Sequence, residues 1–153
     1  MANTQAMATS FKTDLLNGIH AFGTSVVRAA TTADTFKAAL YLTTATMGAA
    51  TTAYSATNEL TGTNYTAGGV TITNATAPSA SGTTAFWTPS GNFVWSALTS
   101  TGGAFDCALV YNSTAAAKNA VSVHTFGTQN ITAGTFTLTM PANAAGTALI
   151  NLA

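Results

Sequence analysis

A chain of 153 residues has room for one domain with a real core and too little for two comfortable ones. Only 5% of it is charged, four basic residues against four acidic, where soluble globular proteins average about 25%. That balance leaves no basic patch for neutralising phosphates, which excludes the usual nucleic-acid binders.

The remaining bounds are also compositional. Hydrophobic residues make up 47% of the chain, but much of that is alanine, so large core-forming side chains are fewer than the figure implies. No apolar run is long enough to span a bilayer. The single cysteine, Cys107, forms no internal disulfide, and the start MANTQAMATSFK lacks the basic and apolar parts of a signal peptide; both fit synthesis in a reducing cytoplasm. Thr, Ser, Asn, Ala and Gly cover the surface where charges would otherwise stand. With little repulsion to keep copies apart, such a surface suits a protein docked on other copies or on a larger body.

In chain order, a polar lead ends at Ser10, a cap for a short amphipathic helix with Phe11, Leu15, Leu16 and Ile19 on one face and Gly18 near its end. A helix this short needs a sheet or a neighbour to pack on, which makes those four residues interface candidates. Residues 21–30 read as strand or connector. Phe36, Ala38, Leu40 and Leu42 alternate with Lys37, Ala39 and Tyr41, a strand pattern. Residues 43–57 read as a surface loop, and 58–69 carry turn chemistry at Gly62, Asn64 and Gly68-Gly69. Val70, Ile72 and Asn74 open another strand, and 75–82 read as a loop.

Strand-like TTAFW and FVWSAL flank the turn Pro89–Asn92, and the second is dense enough for a fully buried strand. Three strands then occupy residues 104–140. Phe105, Cys107, Leu109 and Tyr111 share one face of the first. Val121, Val123 and Thr125 alternate with Ser122, His124 and Phe126 in the second, and Phe136, Leu138 and Met140 alternate with threonines in the third. Pro141–Gly146 turns the chain into a last short strand, ALINL. About eight strands with turns roughly every ten residues predict an all-β fold: an antiparallel β-sandwich, jelly-roll or Ig-like, as a single domain over 1–153 with an N-terminal arm and helix at 1–20.

Chemistry-bearing residues are few. Cys107 and His124, with Asp106 or Asp34, have the residue types of a nucleophile, base and orienting acid. Alternation instead gives Cys107 a core face, where a thiol is inert. His20 and His124 lie apart without acidic or cysteine neighbours, so neither a metal site nor a cofactor site is expected, and no catalytic residue is assigned. Trp87, Trp95, Tyr54 and Tyr65 are the types that stack on sugar rings, but a hairpin filling a core uses the same aromatics, and the core reading is preferred. An exposed Trp87 beside Pro89 would also serve as an interface anchor. The four Asn-X-Thr sequons fit chance in so Asn- and Thr-rich a chain.

The succession FKTDLLNGIHAFG, DTFKAALY, TTAYSATNELTGTNYTAGGVTITN, FDCALVYNST and AVSVHTFGTQNITAGTFTLTMP resembles small virion proteins of tailed bacteriophages. In that group an FK..LL helix leads into a D-x-[FI]-K-x-A-L strand, then a GTGYTAGG-like loop, F-D-x-x-[LV]-[IV]-Y and a closing A-G-x-F-T-L strand. GTNYTAGG is the small departure here. The resemblance runs from Phe11 to Met140 and brings no catalytic residues. It implies a many-copy virion component, on the head exterior as a decoration or cement protein, with the major capsid protein, other virion proteins and copies of itself as partners. Neck, tail or fibre placement, and a module with weak surface-glycan binding, stay open as alternatives.

Overall fold

The computed structural model describes residues 13, 15–18, 34–73 and 76–153. Ten strands run through them: β1 Thr35–Leu42, β2 Gly62–Thr63, β3 Val70–Thr73, β4 Ser79–Ser81, β5 Thr84–Trp87, β6 Phe93–Ser100, β7 Phe105–Asn112, β8 Ala120–Gln129, β9 Gly134–Leu138 and β10 Ile150–Leu152. All pair antiparallel, in three sheets ordered β3-β1-β7-β8, β2-β6-β9 and β10-β5-β4. The protein is all-β, as its alternation predicts.

These strands group into two compact units. One holds Ala33–Asn74 and Gly91–Thr139, and with them the first two sheets. The other holds the described residues of Met1–Thr32, Ala75–Ser90 and Met140–Ala153, including the sheet β10-β5-β4.

In the first unit, β1 and β7 form the centre of the four-stranded sheet and are buried on both faces, not on one. Ala39, Tyr41, Cys107, Leu109 and Tyr111 make one buried cluster, covered by Ala45, Met47 and Tyr54 of the 43–57 loop. On the opposite face Ala38, Leu40, Ala108 and Val110 are equally buried. Phe136 of β9 meets Phe105 of β7 edge-on at 5.2 Å, Phe126 of β8 at 4.9 Å and Trp95 of β6 at 5.6 Å. One ring thus ties both sheets of this unit together.

The stretch expected to be fully buried, FVWSAL, is half-buried instead. Phe93 and Trp95 point inward, while Val94 is 43% exposed. A bulge follows: two residues between Trp95 and Leu98, Ser96 and Ala97, face the one between Phe136 and Gly134, with Ala97 at φ 50°. That extra residue turns Leu98 inward despite its odd spacing from Trp95.

Two further expectations are corrected. Residues 79–81, read as loop, form the exposed strand β4; its three small residues, Ser-Ala-Ser, have no large apolar period to reveal them. The turn at Pro89–Asn92 does not close a hairpin: β5 pairs with β4 and β10, whereas β6 pairs with β2 and β9.

In the second unit Trp87 is 4% exposed and donates its indole N–H to the Thr76 carbonyl at 2.8 Å. Buried Thr88 accepts the Leu149 N–H at 2.9 Å. The Asn151 side chain accepts from Gly146 N–H and donates to the Ala148 carbonyl, which fixes the approach to β10.

Among the described residues no helix forms an element. Asn17 donates to the Thr13 carbonyl at 3.0 Å and Gly18 to that of Leu15 at 3.1 Å, one turn of helical bonding. Leu15 is 36% exposed and Leu16 is half-buried. Ser10, Phe11 and Ile19 lie outside the described residues, as does the 21–30 segment.

Candidate functional site

The densest polar arrangement is one that composition conceals. Glu59 follows the 43–57 loop in a stretch that reads as turn chemistry, yet it is only 7% exposed. An isolated bridge pairs it with Tyr41, and Leu60 N–H donates to the Leu40 carbonyl at 2.8 Å, so the backbone lies against β1 and turns the carboxylate inward.

All four tyrosines of the chain gather there. Tyr54 donates to Glu59 Oε2 at 2.6 Å, and Tyr65 donates to Oε1 at 2.7 Å. Gly68 N–H is a third donor, also to Oε1 and at 2.7 Å. Tyr65 Oη accepts the Leu40 N–H at 3.0 Å, so one phenol links the carboxylate to β1. Tyr111 donates to the Gly68 carbonyl at 2.8 Å and stacks on Tyr54 with ring centres 4.8 Å apart. Tyr41 donates to the Ser55 carbonyl at 2.5 Å. The Lys118 ammonium sits 5.1 Å from the centre of the Tyr54 ring, a cation–π contact at the outer rim.

Burial pushes the Tyr41 phenol up to about 12, countered in part by its hydrogen bond to Ser55 and reinforced by the Glu59 charge. Tyr54 and Tyr65 are raised by burial first, then by the bond to Glu59 and its charge; Tyr111 is raised by burial and that charge. Each phenol is thereby kept in the neutral form that donates. A buried carboxylate with three donors is a stable structural anchor, not an exposed acid. It fastens the 43–57 loop over the tyrosine face of the sheet.

Beside this anchor runs an open groove of about 360 Å³. Met47, Ala49 and Thr51 line one side; Val121, Ser122 and Thr125 of β8 line the other, and no charged residue contributes. Met47, Ala120 and Val123 both line the groove and pack on the buried cluster beneath.

The residues singled out by chemistry fall elsewhere. Cys107 is buried, and burial, with the neighbouring Asp106 carboxylate, pushes its thiol up to about 11. Register places Cys107 opposite Thr125 and Ala108 opposite His124, so Cys107 and His124 stand on opposite faces of the sheet. His124 lies 2.9 Å from Ser122 Oγ, and burial lowers its pKa. Asp34 accepts from the Asn112 amide at 2.5 Å at the end of β7, as part of a turn. Trp87 and Trp95, at 4% and 2% exposure, present no ring face to a sugar. The exposed position that an interface anchor needs is not the one Trp87 takes. Among the described residues no group of three or more His, Cys, Asp or Glu side chains is arranged to hold a metal ion.

In comparisons with known proteins, no family model, no curated protein and no solved structure matches this chain.

Proposed function

We propose that this chain is a structural component of a tailed-bacteriophage virion, of the capsid decoration or cement type. It docks on the head lattice, against the major capsid protein and copies of itself, and stabilises the shell. The finer fold that goes with this reading is a β-sandwich, in which Phe136 draws the sheets β3-β1-β7-β8 and β2-β6-β9 face to face.

The observation that carries the reading is where the charge lies. Of the chain's eight charged side chains, none falls between residues 60 and 105 or between 119 and 153. Glu59, one of the eight, is spent inside the protein on its own tyrosines. The edge strand β8 and the loops of these stretches therefore present uncharged side chains and backbone groups. A surface of that kind supports docking by apolar and backbone contacts, where ion pairs contribute little. The succession of motifs from Phe11 to Met140 supports the virion setting. No catalytic step belongs to this reading, and the burial of Cys107 away from His124 supports leaving one out.

Mass spectrometry of purified virions tests the assignment, followed by washing at low and high ionic strength. Retention should change little as salt rises, because few charges are available to screen. Steep release at moderate salt overturns the mode of attachment, and absence from virions overturns the assignment.

A further inference from the structure

We infer that the outer edge of β8 is a self-association surface, on which a second copy of this chain adds its own β8 antiparallel across a two-fold axis. This stands apart from the virion reading, since it concerns the purified chain in solution.

β8 ends the sheet order β3-β1-β7-β8 and, at ten residues, is the longest strand. Its own chain occupies the outer side only at the start: Tyr54 N–H donates to the Lys118 carbonyl, Ala120 N–H donates to that of Thr52, and Ala53 bridges Asn119. Beyond Ala120, no strand among the described residues pairs with that edge. Such an edge is a ready template for another strand.

Natural edges are blunted by charges, prolines or bulges. β8 contains no charged residue and no proline. It does carry irregularities against β7, between Phe105 and Cys107 and between Val110 and Tyr111. Between them, Ser122–Thr125 runs in unbroken register with Cys107–Val110. That regular segment borders the groove, whose far wall at Met47–Thr51 stands off the strand and leaves about 360 Å³ alongside it.

Electrostatics selects the occupant. A strand with a charged side chain would lose hydration in a groove that offers nothing to pair with it, so the complement is neutral. β8 itself is neutral and matches in length. The other edge strands are shorter: β9 has five residues, β3 four, β4 and β10 three each, and β2 two. Antiparallel pairing of β8 with its copy is self-complementary, so it closes as a dimer and does not propagate as a filament. Zero net charge removes the repulsion that would hold two copies apart.

Sedimentation velocity over a concentration series tests this on the full chain. Reversible, concentration-dependent dimerisation is expected. Thr125→Lys, at an exposed groove position, brings like charges together across the axis and should raise the dimer Kd at least about tenfold. Thr135→Lys, exposed on the β9 edge, should leave Kd unchanged. Hydrogen exchange on the unmodified protein gives a readout that needs no variant: the outward-facing amides within Val121–Gln129 should gain protection as dimer forms. A chain that stays monomeric from micromolar to millimolar concentration overturns the inference. So do equal effects of the two lysines, or a gain of protection confined to other strands.

Discussion

Tyr54 and Glu59, five residues apart in chain that reads as loop and turn, are joined by a 2.6 Å hydrogen bond from phenol to carboxylate. Through it the 43–57 loop is fixed to β1 and β7, since Tyr54 also stacks on Tyr111 and Glu59 bridges Tyr41. The loop in turn supplies one wall of the β8 groove. A single buried acid thus sets the geometry of the surface proposed for association.

Replacing that acid should therefore be expensive. Glu59→Gln keeps the volume but loses the charge and presents an amide NH2 to at least one of three donors, so stability should fall by about 1.5–3 kcal/mol. Tyr65→Phe, which removes a donor to Glu59 and the acceptor for Leu40 N–H, should lose about 1–3 kcal/mol. Denaturant midpoints measure both. Losses within error for the two variants would show the cluster to be decorative.

The phenols also set an alkaline limit. Folding raises Tyr41 from 10.0 to about 12, and Tyr54, Tyr65 and Tyr111 shift the same way. The folded state holds these protons more tightly than the unfolded chain does. Their contribution is therefore fully present below pH about 10 and is lost as pH rises through the folded values. Phenolate absorbance should lag behind that of free tyrosine and then rise together with loss of β-sheet circular dichroism. Four phenols titrating near the free value in a still-folded protein would contradict the cluster.

How much of this is legible in the sequence depends on whether a residue's environment is local. β1, β7, β8 and β9 follow from period-two alternation, and burial of Cys107 follows from its companions Leu109 and Tyr111. The burial of Ala39 and Tyr41 on the other face of β1 does not, because what covers them is a Thr/Ala-rich loop without periodicity. The bulge at Ala97 shifts the phase of β6, so its apolar density misleads. Glu59 had one available signal: it is the sole acidic residue between residues 35 and 105, with Tyr54 and Tyr65 on either side. Nothing local says that those phenols converge on it.

Gly69 should be intolerant of any side chain. Its φ is +75°, and a Cβ there would lie 1.8 Å from the Ala38 carbonyl oxygen, where the chain presses on β1 before pairing as β3. Backbone cannot yield as a side-chain tip would, so Gly69→Ala should destabilise by roughly 3 kcal/mol or more, or prevent folding. Gly82→Ala is the control: φ is +57° but the space is open, so the loss should be about 1 kcal/mol. Similar midpoints for the two variants would remove the close approach from the explanation.

Cys107 should behave as a core residue. Buried, with its thiol pushed up to about 11, it offers little thiolate at neutral pH. Labelling by a thiol reagent should be slow in the native protein and fast in denaturant. Cys107→Ala should cost about 1 kcal/mol, near the value of one buried methylene-sized group. Rapid native labelling would contradict the placement.

The two tryptophans should respond in opposite measure to the same substitution. Both are buried, at 4% exposure for Trp87 and 2% for Trp95. Trp87 gives its indole N–H to the Thr76 carbonyl, whereas the Trp95 N–H has no acceptor among the described residues. A buried donor without a partner carries a penalty of about 1–3 kcal/mol, and phenylalanine at that site removes the donor along with some apolar area. At residue 95 the two effects oppose each other, so Trp95→Phe should be nearly neutral, although Trp95→Ala should lose about 3–5 kcal/mol. At residue 87 they add, because the Thr76 carbonyl loses its donor as the area shrinks. Trp87→Phe should therefore be the more damaging change by denaturant midpoint. If Trp95→Phe proves equal or worse, the orphaned indole is being satisfied by something else, such as an enclosed water, and packing alone then sets its value.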